Sequence, residues 1–344
     1  MARTNVGLLY CKVESVAGTD VIAGSLTGLK PVFALAPAVY DAEGDEIPRM
    51  ILDGGSSPIA SDIKLLRGKI SFSMELRGNY TNGVTADCSK GAATYEPESH
   101  NLLQACDLVA SYTAETSLNA RNGYITYSAA KLVDQGVTLT LYLYYAKKLH
   151  KLTGCKGTVS FSVQVGDYVR AQFEFQGIHR AVTDAATLPT VTNADFPALK
   201  PEKFINTIAG VTTSFFTMGG IDLCISSFTV NVANQIAMRH CPAATNGMYG
   251  MSIVDRTITG EIDPEDAQEA ARPDWAGWAA SSQSNVELQV SMVAGNMISL
   301  HMNTQISNIR YDSRNGLIVK RVGLRCIRYL PGDTDISAFY IRFG

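Results

Sequence analysis

KGTVSFSVQVGDYVRAQFEFQGIHR, residues 156–180, is the stretch whose reading decides the fold. Val159, Phe161, Val163 and Val165 alternate with Ser160, Ser162 and Gln164, and after Gly166-Asp167 the alternation resumes through Ala171, Phe173 and Phe175. Side chains along a strand point to opposite faces in turn, so this spacing predicts an antiparallel hairpin with one apolar and one polar face. A Gly-Asp pair between two alternating runs is a turn signal. The design returns in NVELQVSMVAGNMISLHMNTQISNIR, residues 285–310, where Val286, Leu288, Val290 and Met292 form the stripe and Gly295-Asn296 the turn. Two copies of one hairpin predict a duplicated β domain.

Working outward, GKISFSMELRG (68–78) alternates Ile70, Phe72, Met74 and Leu76 against Ser71, Ser73, Glu75 and Arg77. A long Gly/Asn/Ser-rich loop follows over 79–95; such loops tend to be functional or ordered by a neighbour. Leu102, Leu103, Cys106 and Val109 at helical spacing predict a short amphipathic helix over 99–109 that covers a sheet. VTLTLYLYYA (137–146) returns to strand chemistry. Three prolines in 187–201 mark a linker. Beyond it, SSFTVNVANQIAMRH (226–240) matches SFSMELRG in kind, with SIVDRTITGEID as the next strand. Asp263 and Pro264 look like the N-cap and first position of a second helix, favoured by Glu265 and Asp266. The first 65 residues read as an arm with edge structure, and DAEGDEIPR (41–49) as a hydrophilic loop.

A chain of 344 residues with 46% hydrophobic content can bury a sizeable core, and its length suggests two domains. The net charge of −3 does not mark the whole molecule as a nucleic-acid binder. The longest apolar runs are about half what a membrane helix needs, and the N-terminus lacks the continuous core of a secretory signal. Seven scattered cysteines, an odd number, read as reduced thiols of a protein made in the cytoplasm.

Catalytic and cofactor chemistry is sought without result. No phosphate-binding glycine loop, GxSxG elbow or HExxH pair occurs, and His240-Cys241 has no second pair at metal spacing. No catalytic, cofactor or metal site is expected. Tyr142, Tyr144 and Tyr145 are either a stacking platform for sugars or bases or ordinary strand residues. Trp275 and Trp278 share a helix face and would pack it onto a sheet.

ISFSMELRG…PESHNLLQACDL, YITYSA…VTLTLYLYY, GTVSFSVQVGDYVRAQFEFQGIHR, SSFTVNVANQIAMRH…SIVDRTITGEIDPED and the final hairpin with the strand at 335–343 carry a resemblance in their order. Over residues 70–344 the chain resembles the major tail tube proteins of long-tailed, non-contractile bacteriophages (siphophages), in the form with two tube domains per chain. The resemblance implies a mainly β protein: two tandem β-sandwich or incomplete-barrel domains, each with a short flanking helix. Their ranges would be an arm and edge segment at 1–69, a first tube domain at 70–190, a linker at 191–202 and a second tube domain at 203–344. It further implies homotrimeric, pseudo-hexameric rings stacked into a virion tail tube, assembled in the host bacterial cytoplasm. The partners would be further copies of the chain, tail terminator and tip proteins, and, transiently in the lumen, the tape measure protein and genomic DNA. No membrane is involved.

Physical chemistry adds to this independently. Long alternating strands leave unpaired edges, which pairing between subunits in a closed ring removes. A conduit for DNA should be smooth, with few basic side chains, because phosphate contacts retard passage. Ser71, Ser73 and Glu75, Ser160, Ser162 and Gln164, and Glu287, Gln289 and Ser291 are the candidate lumen face. Asn79, Tyr80, Asn82, Lys90 and Tyr95 are the candidate ring-to-ring contact. The rival readings are a carbohydrate-binding β-sandwich of a virion and a β-rich hydrolase with a dispersed site.

Overall fold

The computed structural model describes residues 7–22, 26, 29, 31–48, 60–78, 96–113, 124–129, 136–185, 188–191, 200–205, 214–244, 247–291, 296–328 and 338–344. Among them the chain is mainly β. The strands are β1 (Gly7–Val13), β2 (Pro31–Val32), β3 (Ala34–Ile47), β4 (Asp62–Glu75), β5 (Val109–Thr113), β6 (Tyr124–Ser128), β7 (Leu139–Tyr145), β8 (Lys148–Gln164) and β9 (Arg170–His179). They continue with β10 (Thr183–Asp184), β11 (Phe215–Met218), β12 (Ile221–Asp222), β13 (Ser227–His240), β14 (Met248–Ile262), β15 (Gln283–Val290), β16 (Ile298–Arg314), β17 (Leu317–Cys326) and β18 (Phe339–Phe343). Two short helices, α1 (His100–Ala105) and α2 (Asp274–Ala279), complete the set.

Hydrogen-bonded pairs order eight strands into one antiparallel wall, β3-β4-β9-β8-β13-β14-β17-β16. Behind it lies a second layer. Its first part is β2-β1-β7 joined to the start of β8. Its second is β12-β11-β15-β16-β18-β6-β5. β8 and β16 therefore belong to both layers. Each crosses from one to the other at a register shift, near Thr153/Lys156 in β8 and Ile306/Asn308 in β16. A bulge bends its strand and re-aims the residues beyond it, so that one strand can serve two sheets.

The organising hairpin is β8–β9 as its alternation predicts. Val159, Phe161, Val163, Ala171, Phe173 and Phe175 are buried, and Gly166 turns the chain with φ +83°. Val165 is 51% exposed, because the strand ends at Gln164 and Val165 is already in the turn. Phe161 stacks on Phe339 across the two layers at 5.9 Å, and Phe228 meets Phe216 at 5.1 Å. Two glycines let the layers approach. A Cβ at Gly68 would lie 2.5 Å from the Leu152 side chain, and one at Gly260 2.8 Å from that of Met302. The buried apolar residues form one main cluster drawn from both parts of the chain, with β18 hydrogen-bonded to β6 as well as β16.

The order of elements repeats. β1-β3-β4-α1-β7-β8-β9 is followed by β11-β13-β14-α2-β15-β16-β17 with the same pairings inside each set. This corrects the alignment read from sequence by one strand. The hairpin at 285–310 is β15–β16, the counterpart of β7–β8 rather than of β8–β9. Likewise β13 answers to β3, not to the run at 71–78. Since β8 takes part in two hairpins, alternation alone does not say which one recurs.

Three further expectations change. DAEGDE is not a loop but the outer part of β3, paired with β4 from Asp41↔Lys69 to Glu46↔Ile63. An edge strand tolerates such charges because its polar side faces water. The helix predicted from Asp263 is absent: Lys320 N–H donates to Pro264 O and Asp266 N–H to Ile318 O, so 264–266 run beside β17. The Asp263 carboxylate accepts from the N–H groups of Ser226 and Ser227 at 2.8 and 2.6 Å, and the helix starts at Asp274. The first helix is shorter than 99–109, with Val109 opening β5.

Candidate channel face and assembly edges

Residues directly opposite in a ladder share a face, so the pairings trace the polar side of the wall from strand to strand. Ser73 lies opposite Gln172, Gln172 opposite Ser160, Ser160 opposite Asn231, Asn231 opposite Thr259, and Thr259 opposite Arg325. The next row runs Glu75, Arg170, Ser162, Thr229, Glu261 and Gly323. Thus Ser71, Ser73, Glu75, Ser160, Ser162 and Gln164 occupy one continuous surface. It passes without a break into the second part of the chain.

Glu287, Gln289 and Ser291 do not join it. Glu287 and Gln289 are on β15, in the back layer between β11 and β16, where Glu287 pairs with His301 at 3.4 Å. Ser291 follows the end of β15, with φ +67°, and is buried. The one-strand slip in the repeat put them in the wrong layer. Asn79, Tyr80, Asn82, Lys90 and Tyr95, like Met292 and Gly295, lie outside the described residues.

The surface is less free of cations than the serine-rich strands suggest. Lys69 and Arg170 stand on its first part, and Arg310, Arg314, Arg321 and Arg325 on its second. Most have a carboxylate beside them. Lys69 pairs with Glu174 at 2.7 Å and Arg170 with Asp167 at 2.9 Å. Arg310 and Arg321 share Glu261 at 3.4 and 3.2 Å, and Arg321 also holds Asp312 at 2.6 Å. Arg314 reaches Asp263 at 3.1 Å and Glu265 at 3.3 Å. The Ser313 N–H and then Arg321 hold the Asp312 carboxyl below its usual range. Exposed pairs of this kind add little stability, but they leave few positive charges for a phosphate to meet.

Six residue pairs, from Ser227↔Gln164 to Val232↔Val159, form the seam where β8 meets β13. A buried polar clamp closes one end. Asn234 donates to the carbonyls of Cys106 and Gly157, both at 2.8 Å, and accepts from Arg256 Nε at 2.9 Å. Arg256 Nη2 reaches the Asp107 carbonyl at 2.8 Å and its carboxylate at 3.1 Å. Burial lowers the Arg256 pKa and Asp107 opposes that shift. Sequence spacing gave no hint of this clamp, because its members are far apart along the chain.

The wall's two ends differ from its middle. Among the described residues β3 is paired only along its β4 side, and residues 307–314 of β16 only along their β17 side. Tyr311 is 58% exposed and Ile318 64% exposed beside that second edge. Trp275 stacks near Tyr311 at 5.8 Å, while Trp278 donates to Ser307 O and stays half outside. By contrast Tyr142 and Tyr144 are buried, with Tyr142 donating to Asp20, so they form no sugar-binding platform. The six described cysteines are free. No group of three metal-ligating side chains gathers among the described residues.

Fold and face together define a β protein that presents a long polar wall whose two end strands are paired on one side only among the described residues. A family model described as phage tail tube protein matches residues 4–321, and the chain belongs to that family. It is a structural protein of the phage tail tube. Comparison with curated proteins finds no match.

Proposed function

We propose that three copies of this chain close into a pseudo-hexameric ring, and that stacked rings form the tail tube of a non-contractile phage, through which DNA leaves the virion. One observation carries the reading: within a single chain, β8 and β13 already join two like-built sets of strands into one wall. The same joint made between chains would extend the wall around a circle. Eight strands per chain give twenty-four for three copies. At a spacing of about 4.8 Å the circumference is roughly 115 Å and the backbone diameter about 37 Å, before strand tilt widens it. That bore admits a nucleic-acid duplex with side chains lining both walls. All neighbours in the wall are antiparallel and their number per chain is even, so the circle closes without a parallel joint.

The role is structural, without catalysis, in a chain of two tube-type units divided near 191–202. The polar face is the lumen surface, seen by the tape measure protein and DNA. Terminator and tip proteins would meet the two ends of the tube, assembled in the host cytoplasm. The loop at 79–95 and the N-terminal segment are the proposed ring-to-ring contacts. Electron microscopy of the purified chain tests this. Three-fold rings or tubes of uniform bore are expected; a preparation of monomers at every concentration would refute it.

A further inference from the structure

We propose, on the ring reading above, that β3 of one copy pairs antiparallel with residues 311–314 at the end of β16 in the next, in the register of the β8–β13 seam. The repeat supplies the template. β8 and β16 are counterparts at the far end of each four-strand set, and β13 and β3 are counterparts at the near end. β8 is covered by β13; β16 and β3 are the two wall strands with an open side among the described residues.

The ladders fix the register. Ser162↔Arg170 closes the β8–β9 hairpin and Arg314↔Leu317 closes β16–β17, with each hairpin's register shift at the same distance behind. Ser162 thus answers to Arg314. Following the pairs through β9, β4 and β17, β14 makes Gly68 the counterpart of Gly260 and Asp41 that of Thr229. Both glycines are the positions where a Cβ would strike the crossing strand, which checks the alignment independently. Ser162 lies opposite Thr229 in the covered seam, so Arg314 would lie opposite Asp41 in the open one.

The charges agree. β3 carries Asp41, Glu43, Asp45 and Glu46, whereas the β16–β17 tip carries Arg310, Arg314 and Arg321 around the single Asp312. An acidic edge meeting a basic one favours this seam, and like charge disfavours β3 on β3 or β16 on β16. The alignment sets Glu43 opposite Asp312, but Arg321 already holds that carboxylate at 2.6 Å and Arg310 is two residues away. Glu43 and Asp45 now bond Arg67, and Arg310 and Arg314 bond Glu261, Asp263 and Glu265. These are pairs at the surface, and a neighbour can share them. Tyr311 and Ile318 stand exposed beside this edge, as an uncovered seam requires.

Cysteine trapping tests it. Opposed residues in an antiparallel ladder fall within disulfide reach. A chain with Asp41→Cys and Arg314→Cys, assembled and then oxidised, should give a ladder ending at a covalent trimer, above the background of the native cysteines in wild type. Ser162→Cys with Thr229→Cys should close inside one chain. Ala42→Cys with Arg314→Cys, one residue out of register, should cross-link at least several-fold less. Tubes seen by microscopy without the Asp41/Arg314 ladder would overturn the seam and leave the ring standing; failure to form any ring would overturn the ring itself. As a second arm, Arg310→Glu with Arg314→Glu should stop assembly while circular dichroism shows folded chain, and adding Asp41→Lys and Glu43→Lys should restore it. No rescue in a folded chain counts against the charge match.

Discussion

β8 and β16 are the same strand used twice. Each has 17 residues, each leaves the back layer at a bulge, and each ends in the wall. Yet β8 finishes buried, with Val159 and Phe161 about 1% exposed, while the corresponding stretch of β16 holds Tyr311 at 58%. The difference lies in what is beside them: β13 pairs with one, whereas the other has no second strand among the described residues, only the short helix α2, whose Trp278 donates to Ser307 O. On the proposed ring, the open edge is half of a joint whose other half, β3, the chain also carries. The polar faces diverge as well. The first is built of serine and glutamine with the Lys69–Glu174 and Arg170–Asp167 pairs, the second of arginines threaded among Glu261, Asp263 and Asp312.

The largest expected contrast is between Phe161→Asp and its counterpart Ser313→Asp. A lone carboxylate at Phe161 would cost several kcal/mol, about as much as a typical domain's whole stability, and should abolish the fold by circular dichroism. Ser313 is exposed, and its substitution should leave the isolated chain folded. Next, Arg256→Met strips the covered seam of its clamp and leaves Asp107 buried without its cation, costing roughly 3–5 kcal/mol in a denaturant titration. Equal stability of this variant and wild type would show the clamp to be dispensable.

Acid sharpens the contrast. Burial holds His150 and His179 below their usual range, with Lys148 adding to the effect at His150. The unfolded chain then takes up protons first, so stability is full above about pH 6.5 and is lost as pH falls from there toward the folded values. Counting through the ladders, Cys326 stands where His179 does. Hydrogen exchange at pH 5.5 should therefore loosen β8–β9 before β16–β17; simultaneous loosening would argue against these histidines.

Smaller effects concern the proposed lumen face. Glu261→Gln should change stability by less than about 1 kcal/mol yet leave Arg310 without its carboxylate and Arg321 with Asp312 alone, so assembled tubes should retain DNA more strongly, in a salt-dependent manner. Glu174→Gln, which frees Lys69 alone, should do so more weakly. Ser162→Lys should leave folding within about 0.5 kcal/mol of wild type and slow genome passage; wild-type infectivity in that variant would remove Ser162 from the channel.

Strong alternation made β4, β8, β9 and the wall's first polar row legible in sequence. It failed where strand and loop share a composition: an acidic edge strand has no apolar stripe to announce it, so DAEGDE reads as loop. Asp263-Pro264-Glu265-Asp266 has every local mark of a helix start. The free N–H groups that such a start requires are committed to Cys224 and to β17 instead. Period-2 patterning says which face a residue takes but not which layer its strand joins, and this misplaced Glu287 and Gln289. Charge matching between residues 41–46 and 310–321 has no local signature, since it concerns strands at opposite ends of the wall.

The pairing of β8 with β13 inside one polypeptide has a kinetic corollary. Half of the joints in a ring would be tethered, forming with the fold at an effective concentration that dilution cannot alter. The other half would depend on how many molecules are present. Dilution should thus break such a ring only at alternate joints, releasing two-unit pieces and never single units.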